Sequence, residues 1–374
     1  MIAKQRIRWM DLWLVARLVM LLSLPYETWL AYGDAWNFFD LARTPGWPYI
    51  DYWVEFPPLY PFLAKLLYFL AGGREHTFVY LHVGVMTVIQ AANVALVDDL
   101  ARRLQDEGVA AQRAALYAAL TLGLMYTWGY FDPLAVWFML LGLRAALQLR
   151  GWVAGLAFGL GSLAKWFPAL LVFPSMRGRA RWRALAVMSV LIGGTWAWLW
   201  ALGPRFTRAS WYVQTRRVPW ESPWALLQGR LHTGNLPAYE RTVAPAWVAS
   251  SPMRWVPWLA FGLLLLLTPR HPRPNESDVA FRWRRSAWWL GAFFATSWGY
   301  SPQWVQYTLP VLLLALPWPF AGLWSVAWVG VHLLEWPLAL SRGWFSALWL
   351  LVPMREVLLV LALMRLVWKL EVGS

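Results

Sequence analysis

The sequence predicts an all-α fold, a polytopic bundle of membrane helices. Three observations carry this. Hydrophobic residues make up 60% of the 374 and charged residues only 14%, with a mean hydropathy of +0.44; soluble domains hold about 25% charged residues. Apolar stretches of membrane-spanning length recur from one end to the other. Runs such as "LAFGLLLLLTP" and "LTLGLMYTW" do not alternate polar with apolar, as the strands of a membrane barrel would.

Each element follows from hydropathy, with orientation set by Lys and Arg. The basic start "MIAKQRIRW" places the N-terminus in the cytoplasm. Span one, 11–32, runs outward and stays in the mature chain, since no cleavage site follows it. Residues 33–57 form a first extracytoplasmic loop. The apolar run 58–73 is short, about 24 Å as a helix, and reads as a thin span or an interfacial re-entrant helix. Residues 77–97 return to "DDLARRLQDEG". Spans 109–130, 133–149 and 151–165 follow, and 166–176 runs inward to the basic "RGRARWR". Residues 184–203 go out again. The long loop 204–254 comes next, and 255–269 returns to "RHPRPNESDVAFRWRR". Spans 286–300, 303–319, 321–340 and 345–369 complete the chain, the C-terminal spans occupying 320–374. The whole, 1–374, reads as one transmembrane domain of roughly 11–13 membrane helices with extracytoplasmic juxtamembrane helices, in the plasma (inner) membrane.

The composition narrows the chemistry. There is no cysteine, which excludes disulfides, thiolate catalysis and cysteine metal sites. The five His are scattered without ligand spacing. A net charge of +14 fits basic cytoplasmic loops against anionic membrane lipid and calls for no nucleic acid. The 32 Trp suit many interfacial segments. Basic clusters fall mainly on the cytoplasmic side. The loop 204–254 is the exception, with Arg205, Arg208, Arg216, Arg217, Arg230 and Arg241 on the outer side. Such a reversal asks for an anionic ligand there.

The first outer loop gathers Asp34, Asp40, Asp51 and Glu55. Phe56 before Pro57 is held extended, and Pro58 can open a helix because its missing N–H needs no partner there. The loop therefore presents its acids at the membrane surface.

In order along the chain, "PGWPYIDYWVEFPPLYPFL" (45–63), "YFDPLAVWFMLLGL" (130–143), "GLGSLAKWFPALLVFP" (159–174), "RRVPWESPWALL" (216–227) and "YSPQWVQYTLPVLLL" (300–314) resemble motifs of the polytopic glycosyltransferases of the C superfamily (GT-C), in the prokaryotic integral-membrane mannosyltransferase-like branch. The likeness covers roughly residues 30–315. It implies transfer of a hexose, most commonly mannose, from a polyprenyl-phosphate-linked sugar to a glycolipid, glycan or protein acceptor on the extracytoplasmic face.

The chemistry needs these residue types. Phosphate is a good leaving group, so no general acid is required. A carboxylate must accept the acceptor's proton, and cations must hold the departing phosphate. One base and one displacement invert the anomeric carbon. Asp34 is the candidate base, where the family's first-loop aspartate sits; it can equally cap a helix starting near Ala35. Asp51 and Glu55 orient hydroxyls or brace the loop. Lys165 binds phosphate or snorkels to headgroups. Arg216 and Arg217 grip phosphate or lipid headgroups. Asp132 and Glu221 line the substrate site, Asp132 also being suited to capping its span. Gln303 bonds a sugar or the helix N-terminus. Asp40 reads as a solvated acid. Arg17 and Glu27 read as pairing across the bundle; Glu335, Arg355 and Glu356 in the last spans read as buried pairing or interfacial charges. No metal is required, although acids on one loop make a divalent cation possible. The alternative is a transporter or flippase of a lipid-linked or anionic solute, which would string its charges through the membrane thickness.

Overall fold

The computed structural model describes residues 8–234, 240–243 and 252–367. The basic residues Lys4 and Arg6, part of the long loop and the last residues through Lys369 lie outside these. The described residues are helical, without a strand; only an isolated bridge joins Pro48 and Tyr52. In order, the helices are α1 (Trp9–Ser23), α2 (Tyr26–Leu30), α3 (Ala35–Arg43), α4 (Leu59–Leu70), α5 (Glu75–Leu104), α6 (Glu107–Leu122), α7 (Tyr126–Gly129), α8 (Asp132–Leu147) and α9 (Gly151–Ala164). After a 3-10 turn (Phe167–Leu171) come α10 (Val172–Ser175), α11 (Gly178–Leu202), α12 (Pro204–Thr215), α13 (Pro223–Leu227), α14 (Val256–Leu266), α15 (Asp278–Thr296), α16 (Val305–Ala315), α17 (Phe320–Leu333) and α18 (Leu348–Val367). Among the described residues four helical stretches are long and apolar enough to cross a membrane: Glu75–Leu104, Gly178–Leu202, Phe320–Arg342 and Phe345–Val367.

Several boundaries differ from the hydropathy reading. Span one breaks into α1 and α2 at Leu24, which is extended. The cause is Pro25, which disfavours the helical region for the residue before it. The inward run after Lys165 is no single α-helix but the 3-10 turn plus α10. A 3-10 helix rises about 2 Å per residue, so few residues carry the chain back along α8. The element around Pro310 runs on helically through that proline. Arg17 reaches across the bundle to oxygens of α6 and α7. Its Nη2 donates to the Thr121 and Leu122 carbonyls at 3.2 and 2.5 Å and to Thr127 Oγ1 at 2.9 Å, and it lies over the Trp13 and Trp128 rings. In this way α1 is locked to the end of α6.

The central packing is tight. On α9, Gly151, Gly155 and Gly159 face α11 every fourth residue. A Cβ on the first two would lie 2.5 Å from the Ala180 and Ala184 carbonyl oxygens. Small residues at this spacing let helices touch through their backbones. At the α8 C-terminus Arg282 donates to the Ala146, Leu147 and Ser175 carbonyls at 2.7, 3.0 and 2.9 Å. It satisfies helix-end acceptors that would otherwise be orphaned. Asp99 ties the same end together, bonding Arg103 at 2.8 Å and Arg144 at 2.7 Å. This arginine-rich end stands opposite the end where α8 begins and α9 stops.

Candidate functional site

The first loop is anchored where two backbones touch. A Cβ on Gly33 would lie 2.6 Å from the Gly129 Cα, so any side chain there would push the two backbones apart. The contact brings Asp34 N within 2.8 Å of the Gly129 carbonyl. Asp34 then occupies the N-cap position of α3, but its side chain makes no capping bond to the backbone. The carboxylate accepts instead from Asn37 Nδ2 at 3.1 Å. Burial pushes this carboxyl up to about 6, and Asp132 and Glu55 push the same way, against the Asn37 bond and Lys165.

Lys165 stands in the extended link after α9. Its Nζ is 3.7 Å from Asp132 Oδ1 and lies 4.5 and 5.4 Å from the Phe131 and Phe56 ring centres. Asp132 is buried at the start of α8 without a capping bond, and its Oδ1 accepts from the Tyr307 hydroxyl. Asp34, Asp132, Lys165 and Glu55 therefore share one electrostatic neighbourhood.

Glu55 uses both oxygens on Arg241, at 2.5 and 3.0 Å. Burial opposes its charge, but Arg241 outweighs burial and, with Arg217 adding to the effect, holds the carboxyl below its ordinary value. The next residue is braced too. Gln214 Nε2 donates to the Phe56 carbonyl at 2.9 Å, and its Oε1 accepts from Trp166 Nε1 at 3.0 Å. Asp51 lies apart from these groups. It is exposed, and its Oδ2 accepts from Trp47 N at 2.7 Å within the loop's own turn. Asp40 is half-buried and pairs with Arg43 at 2.7 Å.

Arg216 lies over the Tyr212 ring at 4.1 Å. Arg217 donates to the Gly234 carbonyl at 2.6 Å and lies over Trp220. Gln303 is half-buried in a 3-10 turn and makes no side-chain hydrogen bond among the described residues; its neighbour Gln306 donates to the Tyr126 carbonyl at 2.8 Å.

Glu221 belongs to a second, buried group. It adopts a φ of +45°, and its carbonyl accepts from Arg355 Nη2 at 2.5 Å. Its Oε1 accepts from Gly234 N at 3.1 Å, while Oε2 is buried without a partner. Burial, and then Glu335, push this carboxyl well above its ordinary value. Arg355 pairs with Glu335 at 2.7 Å, reaches Glu356 at 3.6 Å, and covers the Tyr300 ring. The two groups meet at Tyr130, which feels Asp34, Asp132 and Glu221 and donates to the Tyr32 carbonyl at 3.2 Å.

Sequence reasoning did not single out Arg241, Tyr307, Gln214 or Asn37. Tyr307 had a signal, lying four residues after Gln303 and so one helical turn on. Arg241 was one of six loop arginines with nothing to separate it from the rest.

Among the described residues no three His, Asp or Glu side chains converge as a metal would need. Both Glu55 oxygens are engaged by Arg241, and Asp132 Oδ1 by the Tyr307 hydroxyl. No family model, curated protein or solved structure matches the chain.

Proposed function

We propose that the chain is a membrane glycosyltransferase, GT-C-like in architecture, that moves a hexose from a polyprenyl-phosphate donor to a hydroxyl acceptor at the extracytoplasmic boundary. The shorter apolar helices Leu59–Leu70, Gly151–Ala164 and Met253–Leu266 count with the four long ones towards a polytopic bundle in the plasma membrane. One observation carries the reading. The Asp34 carboxylate is not spent on capping, and it shares its surroundings with the one lysine that ends α9.

Asp34 takes the proton from the acceptor hydroxyl. The freed oxygen attacks the anomeric carbon from the face opposite the phosphate. The carbon–oxygen bond to phosphate breaks, and the phosphate leaves with the electron pair, so the configuration inverts. Lys165 stabilises the charge that develops on that phosphate. Arg216 and Arg217 are the second source of positive charge on the donor's side. Glu55 acts through position: clamped by Arg241, it fixes the loop between Asp34 and α4. Asp132 holds Lys165 in place, and Tyr307 holds Asp132.

The test is transfer of radiolabelled sugar in membranes, offered from several polyprenyl-phosphate donors. Wild type is expected to consume one of them. Asp34→Asn, which keeps the shape and loses the base, is expected to run about 10²–10⁴-fold slower. Undiminished transfer by that variant removes Asp34 from the base role. Failure of wild type on every donor removes the transferase reading itself and leaves solute movement as the function to assay.

A further inference from the structure

At the arginine-rich end, the opposite end of α8 from Asp132, a cleft of about 300 Å³ opens between the end of α14 and the middle of α15. Thr268, Arg270, Arg285 and Trp289 line it, with Leu265 and Pro269. Three donors of the lining residues, buried beneath its surface, have no partner: Thr268 Oγ1, Arg285 Nε and Trp289 Nε1. Buried polar atoms are almost always hydrogen-bonded, so three orphans around one opening point to a missing acceptor. The charge points the same way. Neighbouring arginines are neutralised, Arg284 by Glu276 at 2.6 Å and Arg282 by Asp278 at 3.0 Å. Arg270 and Arg285 have no carboxylate partner among the described residues, and Arg181 adds a third positive charge within reach of Arg285.

We propose that this cleft binds a phosphate group. Arg285 and Arg270 supply the charge, and Thr268 and Trp289 supply neutral donors to its oxygens. The surface beside it is apolar: Leu263, Leu266 and Leu267 on and just after α14 are exposed. A phosphate carried on a lipid headgroup would lay its chains along these leucines, whereas free inorganic phosphate would leave them uncovered. The shared chemistry is a tetrahedral oxyanion with two guanidiniums.

Native mass spectrometry of the purified full chain tests this, using phosphatidylglycerol and phosphatidylcholine of equal chain length, with and without millimolar inorganic phosphate. Wild type is expected to keep one phosphatidylglycerol under conditions that strip phosphatidylcholine. Arg270→Gln is expected to weaken that adduct about fivefold, and Arg270→Gln/Arg285→Gln about 25-fold. Arg183→Gln, an exposed arginine of the same end, is expected to leave it unchanged. Displacement by inorganic phosphate with no headgroup preference supports the phosphate site and assigns it to the free ion. Equal retention by wild type and the double variant overturns the proposal, as does equal loss in Arg183→Gln. Arg270 is exposed, so its single variant reads the site even if Arg285→Gln fails to fold.

Discussion

The guanidinium of Arg241 grips both oxygens of Glu55 from 186 residues away, at 2.5 and 3.0 Å. Both side chains are largely buried, so neither can fall back on water at no cost. Arg241 N–H groups meet the carboxylate as a fork, a geometry lysine lacks. Arg241→Ala is expected to lower unfolding stability by about 1.5–3 kcal/mol, the worth of hydrogen bonds to a charged group, with Arg241→Lys recovering only part. Thermal unfolding in detergent measures both. A midpoint unmoved in Arg241→Ala would mean that the clamp adds nothing to the fold.

The Asn37 bond to Asp34 favours the ionised carboxylate, whereas burial favours the neutral acid. Burial wins, leaving the group at about 6. Below that pH Asp34 is protonated and cannot take a proton; above it the base is ready. Transfer by wild type should therefore rise through pH 6 and level off. Removing the bond in Asn37→Leu raises the Asp34 value further, so the acid limb should move to higher pH while the plateau stays near that of wild type. A kcat/KM profile over pH 5–8 shows the shift. Coincident limbs would separate Asn37 from the titrating group.

Hydropathy located most helices of the bundle, because apolar length is a local property. It missed the break at Pro25, where one residue's backbone preference decides and window averages blur it; it placed the break after Lys165 but not the 3-10 turn with which the next run begins. The first-loop acids stood out by their density, yet their fates diverge on contacts far apart in sequence. Asp51 turns back on Trp47 N, Glu55 finds Arg241, and Asp34 stays uncommitted to the backbone. Which of six loop arginines meets which acid is a question of tertiary distance, and spacing along the chain does not contain it. The Gly33–Gly129 contact is hidden for the same reason: each glycine alone reads as a turn residue.

That contact sets the height of Asp34 in the site. A methyl on Gly33 would clash with the Gly129 Cα at 2.6 Å, and backbone cannot rotate away as a side chain can. Gly33→Ala is expected to cost about 1–3 kcal/mol as an overpacked site. It should also depress kcat more than donor KM, because Asp34 moves with its own N–H. Helical content by circular dichroism should be retained. Wild-type kcat in a folded Gly33→Ala protein would show that Asp34 tolerates the displacement.

Lys165 and Asp132 form a loose pair at 3.7 Å, with Asp132 buried and Lys165 mostly so. Removing one partner of such a pair leaves a charge without compensation, which costs more than removing both. Lys165→Met should destabilise by about 1–3 kcal/mol, and Lys165→Met/Asp132→Asn should lose less than the sum of the single variants. Sugar transfer should fail in both Lys165 variants, since the phosphate loses its cation either way. The stability cycle thus reads the pair and the assay reads the lysine. Additivity within about 0.5 kcal/mol would show the two groups to be independent.

Around Arg355 one cation serves three acids, Glu221, Glu335 and Glu356. Glu335 takes the direct contact; Glu221 offers only its carbonyl and keeps one carboxylate oxygen unpartnered. Burial and then Glu335 raise the Glu221 carboxyl well above its ordinary value, so folding favours its neutral form. The sign follows from linkage. A group whose value is raised on folding contributes stability below its unfolded value, and loses it as pH rises through the folded one. Glu221 therefore weighs on the fold at alkaline pH and not at acid pH. Glu221→Gln mimics the neutral acid and should unfold at the wild-type temperature near pH 4, with its midpoint rising above wild type as pH increases towards 9. Parallel midpoints across that range would mean that Glu221 carries no raised carboxyl, and that Arg355 neutralises more of this cluster than its contacts indicate.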